Sequence, residues 1–192
     1  MVLWAMSLWM AALILCTVGF GQKEFQRYGV NLPYFLIMGL AIWVLGWLSS
    51  WVWPPFWRVN LGFAGLGILA WLMVALARKG RWRVIALFLC LIATLARMVA
   101  PLSLNEASVL PDGAIESVGL GLSAGLIVGQ GAPSALVAAC AESLSAFLIS
   151  MRHVHHILGR HDLALVILAS LSAWLAGWLT STIGTRLGRP AA

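Results

Sequence analysis

Apolar runs long enough to cross a lipid bilayer follow one another along this chain, separated only by short polar gaps. A helix rises 1.5 Å per residue, so about 20 apolar residues cross roughly 30 Å of hydrocarbon. Such runs occupy 2–21, 30–52, 59–77, 82–100 and 163–184, with a longer one over 113–151. The longer run is too long for a single crossing. It is interrupted at Gly129-Gln130-Gly131-Ala132-Pro133, where glycine and proline supply a turn that a continuous helix resists. Division there gives spans at 113–129 and 133–151. The expected fold is therefore all-α: one polytopic transmembrane helical bundle of seven spans covering 1–192. The alternative is six spans plus a re-entrant hairpin, because the run over 113–129 is short.

Composition supports this and removes other classes. Hydrophobic residues make up 62% of the chain and charged ones 9%, against about 25% charged in an average soluble domain. The net charge of +6 would suggest nucleic acid in a soluble protein. Here the cations sit between apolar runs, where they report insertion direction and contact with anionic headgroups, so no nucleic-acid partner is expected. Cys16, Cys90 and Cys140 lie inside apolar runs and read as small packed hydrophobes. The first run carries no basic residues before it, unlike a signal peptide, and is read as a retained span.

Orientation follows from the basic gaps. With the N-terminus outside, the inner segments hold Lys23, Arg27, Arg78, Lys79, Arg81, Arg83, Arg186 and Arg189. The outer segments hold only Arg58, Arg152 and Arg160. The loop Arg78–Arg83 is thus placed in the cytoplasm of a multi-pass cell-membrane protein. The side of the segment after Met151 stays open, since the count is the same whether 113–151 crosses once or twice. Trp47, Trp51, Trp53 and Trp57 flank Pro54-Pro55, and Trp82 opens the fourth span, as expected of an interfacial aromatic belt.

Few side chains could carry chemistry. Glu142 lies near the middle of its span, about 13 Å deep by helical rise, and must be neutral, paired or turned to a wet cavity. Its neighbours one turn away, Ala138, Ala139, Ser145 and Ala146, are small and place it on a packed face. Arg97 and Glu116 lie near the ends of adjacent spans and are read as an ion pair. Arg97 could instead reach inward to Glu142, an axial offset of roughly 8 Å. These three residues are the candidate substrate or ion site. Gly121, Gly125 and Gly129, with Ser117 one turn earlier, form a small-residue stripe suited to close helix contact, within the chain or with a membrane partner or second copy.

All four histidines fall within residues 153–161. If the sixth helix continues, His153 and His156 share a face, and His161 could complete a transition-metal site. The commoner reading is a set of polar interfacial residues. No Walker A string is present, and no serine is read as a hydrolase nucleophile.

A Trp-bearing first span leads to a small basic loop, and a second basic loop precedes the fourth span. A Glu-bearing span is then followed by a polar segment, Asp162 and a last apolar span. In this order of features the chain resembles the YphA-like small integral membrane proteins of spore-forming Gram-positive bacteria. The resemblance implies a bacterial plasma-membrane protein and assigns no site residues. The leading functional expectation is a membrane protein without catalytic activity, acting as a scaffold or partner in the envelope. The alternatives are a small-solute transport component of the vitamin-uptake type, using a cavity around Glu142, and a membrane metalloenzyme using the histidine segment.

Overall fold

The computed structural model describes residues 2–19, 31–48, 50–53, 57–76, 80–99, 113–151 and 156–186. Among these the chain is all-α apart from one small sheet. The helices are α1 (Val2–Thr17), α2 (Leu32–Trp47), α3 (Leu61–Leu76), α4 (Arg81–Val99), α5 (Ala114–Val128), α6 (Gly131–Ser150) and α7 (Arg160–Arg186). The strands are β1 (Ser50–Trp53), β2 (Trp57–Asn60) and β3 (His156–Leu158).

Local chemistry explains most boundaries. Pro33 sits in the first turn of α2, where its missing N–H costs nothing. Asn60 opens α3: its Oδ1 accepts the Phe63 N–H at 3.1 Å, and its Nδ2 donates to the Gly46 carbonyl at 3.1 Å. Gly129 closes α5 in the left-handed region at φ +68°, and extended Gln130 leads straight into α6. The expected break at 129–133 is therefore a real turn between two helices. Asp162 accepts the Gly159 N–H at 2.8 Å at the start of α7.

The structure departs from the sequence expectation at three places. The run 30–52 is not one helix, because α2 ends at Trp47 and residues 50–53 form β1. The run 59–77 likewise begins in β2. Alternating aromatic and β-branched residues favour strands, and Pro54-Pro55 between them denies donors to a continuing helix. Third, α6 stops at Ser150, so His153 and His156 share no helical face: His156 begins β3, while His153 lies outside the described residues. The backbone after α6 finds its partners instead in β2, which pairs antiparallel with β1 and parallel with β3.

Contacts between helices fix an alternating course. The Trp9 Nε1–H donates to the Gly39 carbonyl at 3.0 Å while Met6 lies against Gly46, so α1 and α2 are antiparallel. Gly121 of α5 meets Ala169 and Ser172 of α7, and Gly125 meets Ala173 and Ala176, so these two helices run parallel. Ser117 reaches Glu142, whereas Val128 lies three residues before α6 begins, so α5 and α6 are antiparallel. The sheet marks one end, with the starts of α1, α3, α5 and α7 and the finishes of α2, α4 and α6. The turns at Gly80 and at 129–130 mark the other.

An apolar cluster draws residues from each of the described helices, α6 among them with Val137, Ala138, Ala139, Cys140 and Ala141. Large apolar side chains also cover the outside, among them Leu3, Leu8, Ile37, Ile68, Phe88, Leu91, Leu122, Leu126, Leu175 and Ile183. Among the described residues, two helices are long and apolar enough to cross a membrane, Gly131–Ser150 and Arg160–Gly184; α1, α2, α3 and α5 are shorter apolar helices.

Candidate functional site

The sheet-end half of the α4–α5–α6 interface holds a buried polar cluster. Arg97 comes from the last turn of α4, Ser117 from the first turn of α5 and Glu142 from the middle of α6. Arg97 Nη2 pairs with Glu142 Oε1 and also donates to Ser117 Oγ at 3.1 Å. The Ser117 hydroxyl donates to the same carboxylate oxygen at 2.9 Å. Glu142 is 1% exposed and the Arg97 side chain 12%. Glu142 Oε2 is also buried and has no hydrogen-bond partner among the described residues.

Geometry makes the pairing possible. Helical side chains lean toward the N-terminus, so Arg97 reaches back down α4 to a carboxylate deeper than its own Cα. The small residues around Glu142 bring the α4 and α5 backbones close enough to meet it. One turn away along α4, the Thr94 hydroxyl donates to the Cys90 carbonyl at 2.8 Å and shares a 3.2 Å hydrogen bond with Ser145. Together these groups form a polar strip inside an otherwise apolar interface. Removing one partner of such a pair leaves an uncompensated buried charge, which costs about 3–5 kcal/mol.

Of the two partners the sequence offered Arg97, the structure selects Glu142. Glu116 is half-buried on the first turn of α5, outside this cluster, and the expected Arg97–Glu116 pair is not formed. Ser117, the adjacent residue, takes the place beside Arg97. The signal for it was present, because a small polar residue at the depth of both charges is a natural third partner.

Gly121 and Gly125 do support close helix contact, but within the chain. A Cβ at Gly125 would lie 2.8 Å from the Ala173 carbonyl oxygen and 2.9 Å from the Gly177 nitrogen. That stripe is covered by α7 and is not free for a partner; Gly129, at the turn, has open space beside it. Gly121-Leu122-Ser123-Ala124-Gly125 does spell G-x-S-x-G. It lies within helix α5 rather than on a strand-to-helix elbow, and the Ser123 hydroxyl donates to the Gly119 carbonyl at 2.8 Å. It is a helix-packing string.

Of the histidine segment, His161 is exposed in the first turn of α7. Among the described residues no group of three or more His, Cys, Asp or Glu side chains could hold a metal. Cys16, Cys90 and Cys140 are buried free thiols, as expected. Next to α7's start, Arg160 donates to the Trp47 carbonyl at 2.7 Å and lies 5.9 Å from the centre of the Trp47 ring. Trp43 meets Trp47 edge-on at 6.1 Å.

Two cavities accompany this cluster. One, of about 620 Å³, lies between α3 and α6, bordered by Phe63, Gly67, Trp71, Ser143 and Phe147. The other, of about 540 Å³, lies between α1, α2 and α3 on one side and α6 and α7 on the other. Arg97, Glu116 and Glu142 line neither. Sequence reading missed both, because each is assembled from several helices and no local pattern encodes it. No protein-family model, curated protein or solved structure matches the chain.

Proposed function

We propose that this chain is a seven-span protein of the bacterial plasma membrane, without catalytic chemistry of its own, that serves as a scaffold or partner in the envelope. The observation that carries the membrane reading is the outward ring of large apolar side chains, with Trp4 76% and Phe88 57% exposed, which water would penalise and lipid would not. The helix course supports the topology. Segments joining helices at the turn end carry Lys23, Arg27, Arg78 and Lys79, so that end is cytoplasmic and the sheet end, with the N-terminus, is outside. On this reading β3 and His161 are outside as well. The same arrangement of spans underlies the resemblance to YphA-like proteins.

The chemistry supports a structural rather than a catalytic role. Arg97 and Ser117 both bind Glu142 Oε1 between three helices, and neither cavity gives a substrate access to the carboxylate. A transport role centred on Glu142 would need such access.

Alkaline extraction tests the embedding: the chain is expected to stay with the lipid pellet, and release into the supernatant overturns the reading. Photo-crosslinkers at Leu91 or Leu122, both outward-facing, test the partner role. A discrete protein adduct is expected, and adducts with lipid alone would contradict it.

A further inference from the structure

The geometry points to the cavity of about 540 Å³ as a binding site for one acyl chain of an anionic phospholipid from the cytoplasmic leaflet. This rests on the membrane embedding proposed above but not on the scaffold role.

The volume falls in the roughly 300–1,000 Å³ range of ligand sites. Its deep end is closed by Ile42, Leu66 and Ala139, all buried. Its other end opens between α2 and α3, where Tyr34 is 69%, Met38 47%, Met73 40% and Leu76 71% exposed. Both helix ends belong to the turn side of the bundle. From Ile42 to Tyr34 is about 12 Å of helix, close to the depth of one leaflet of the hydrocarbon core.

The lining selects an apolar occupant. Two of its polar groups are engaged within the protein: the Trp9 N–H donates to the Gly39 carbonyl at 3.0 Å, and the Ser170 hydroxyl to the Val166 carbonyl at 2.6 Å. Apart from Tyr34, Trp82 and Trp174 the rest of the lining is aliphatic, phenylalanine, sulfur-bearing or glycine, which suits a hydrocarbon chain better than a polar solute.

The mouth selects the headgroup. Trp82 lines the cavity between Arg81 and Arg83, both exposed, and Arg83 reaches the Val74 carbonyl on the α3 turn beside Met73. The connecting sequence Arg78-Lys79-Gly80-Arg81-Trp82-Arg83 contains no acid. An anionic headgroup at this depth meets cations while its chain enters between α2 and α3.

Native mass spectrometry of the delipidated chain in detergent, offered dioleoyl phosphatidylglycerol or dioleoyl phosphatidylcholine, tests this. One phosphatidylglycerol is expected to be retained per chain, in preference to phosphatidylcholine. Ala135→Phe, which fills the cavity from α6, is expected to lower that retention about tenfold. Arg81→Gln with Arg83→Gln is expected to lower it about fivefold per cation while leaving phosphatidylcholine unchanged. Unaltered retention in an Ala135→Phe chain that melts like the parent overturns the proposal, as does equal retention of the two lipids or tighter retention of free oleate. Should Ala135→Phe fail to fold, Met38→Trp at the mouth carries the same expectation. A chain that stays soluble without detergent would defeat the embedding instead.

Discussion

The two sides of the bundle are held together by different means. Around α6, helices α4, α5 and α7 approach through alanine, glycine and serine, and α4 and α5 add buried hydrogen bonds to α6. Gly121 and Gly125 lie against α7, Gly177 comes within what would be Cβ contact of Gln130 and Ser134, and Arg97, Ser117 and Glu142 tie three helices at one point. Helices α1, α2 and α3 make close contact mainly near the sheet, where a Cβ on Gly62 would sit 2.8 Å from the Gly46 backbone and Asn60 bonds the Gly46 carbonyl. Toward the turn end they frame a cavity. Under the membrane embedding proposed above, surrounding lipid would be as apolar as leucine, so apolar side chains alone would not draw helices together; close backbone approach and hydrogen bonds would. The side rich in small and polar residues is accordingly shut, and the side rich in bulky ones retains space.

If this contrast is right, substitutions should cost most where charge and backbone contact hold the helices. The largest loss is expected for Arg97→Ala or Glu142→Ala, about 3–5 kcal/mol of unfolding free energy in detergent. The double variant Arg97→Leu, Glu142→Leu should recover most of it, since a well-packed apolar pair replaces a buried ion pair at little cost. A double variant no better than the singles would break the comparison.

Next comes Gly125→Val, which drives a branched side chain into the α7 backbone and is expected to cost about 3 kcal/mol, the upper part of the overpacking range. Thermal melting would show it, and a melting temperature like the parent's would mean α5 and α7 are not tightly apposed. Asn60→Ala should cost about 1–2 kcal/mol, from the lost α3 cap and the stranded Gly46 carbonyl. Smallest of all, Glu116→Gln and Met38→Ala should each stay within about 0.5 kcal/mol, the range of substitutions away from such features. Exchanging the charges of Arg97 and Glu116 should restore nothing lost on changing Arg97 alone, which separates the observed pair from the one expected by sequence.

The sequence made the all-α class and the order of the described helices legible because apolar runs and glycine–proline breaks are local signals. It misjudged the ends of α2 and the start of α3, where strand pairing with a distant segment decided the outcome. Residues 156–158 join β2 only through the fold, so no local pattern around the histidines could place them. Glu142 was recognisable as a site by its depth alone. Its partner was not, because Arg97 faced two carboxyls on paper, and only the lean of its side chain down α4 chose between them. The cavity was illegible: its walls come from five helices and the start of a sixth.

The bundle is expected to cross the membrane with its sheet outside and its basic turns inside. In a chain whose three buried native cysteines are first replaced by alanine, single cysteines at Ile157, beside β2, and at Gly80, with open space beside it, report the two ends. A membrane-impermeant maleimide should label Ile157→Cys in intact cells and Gly80→Cys only after the membrane is opened. Equal labelling of both in intact cells, or the reverse order, would contradict the account.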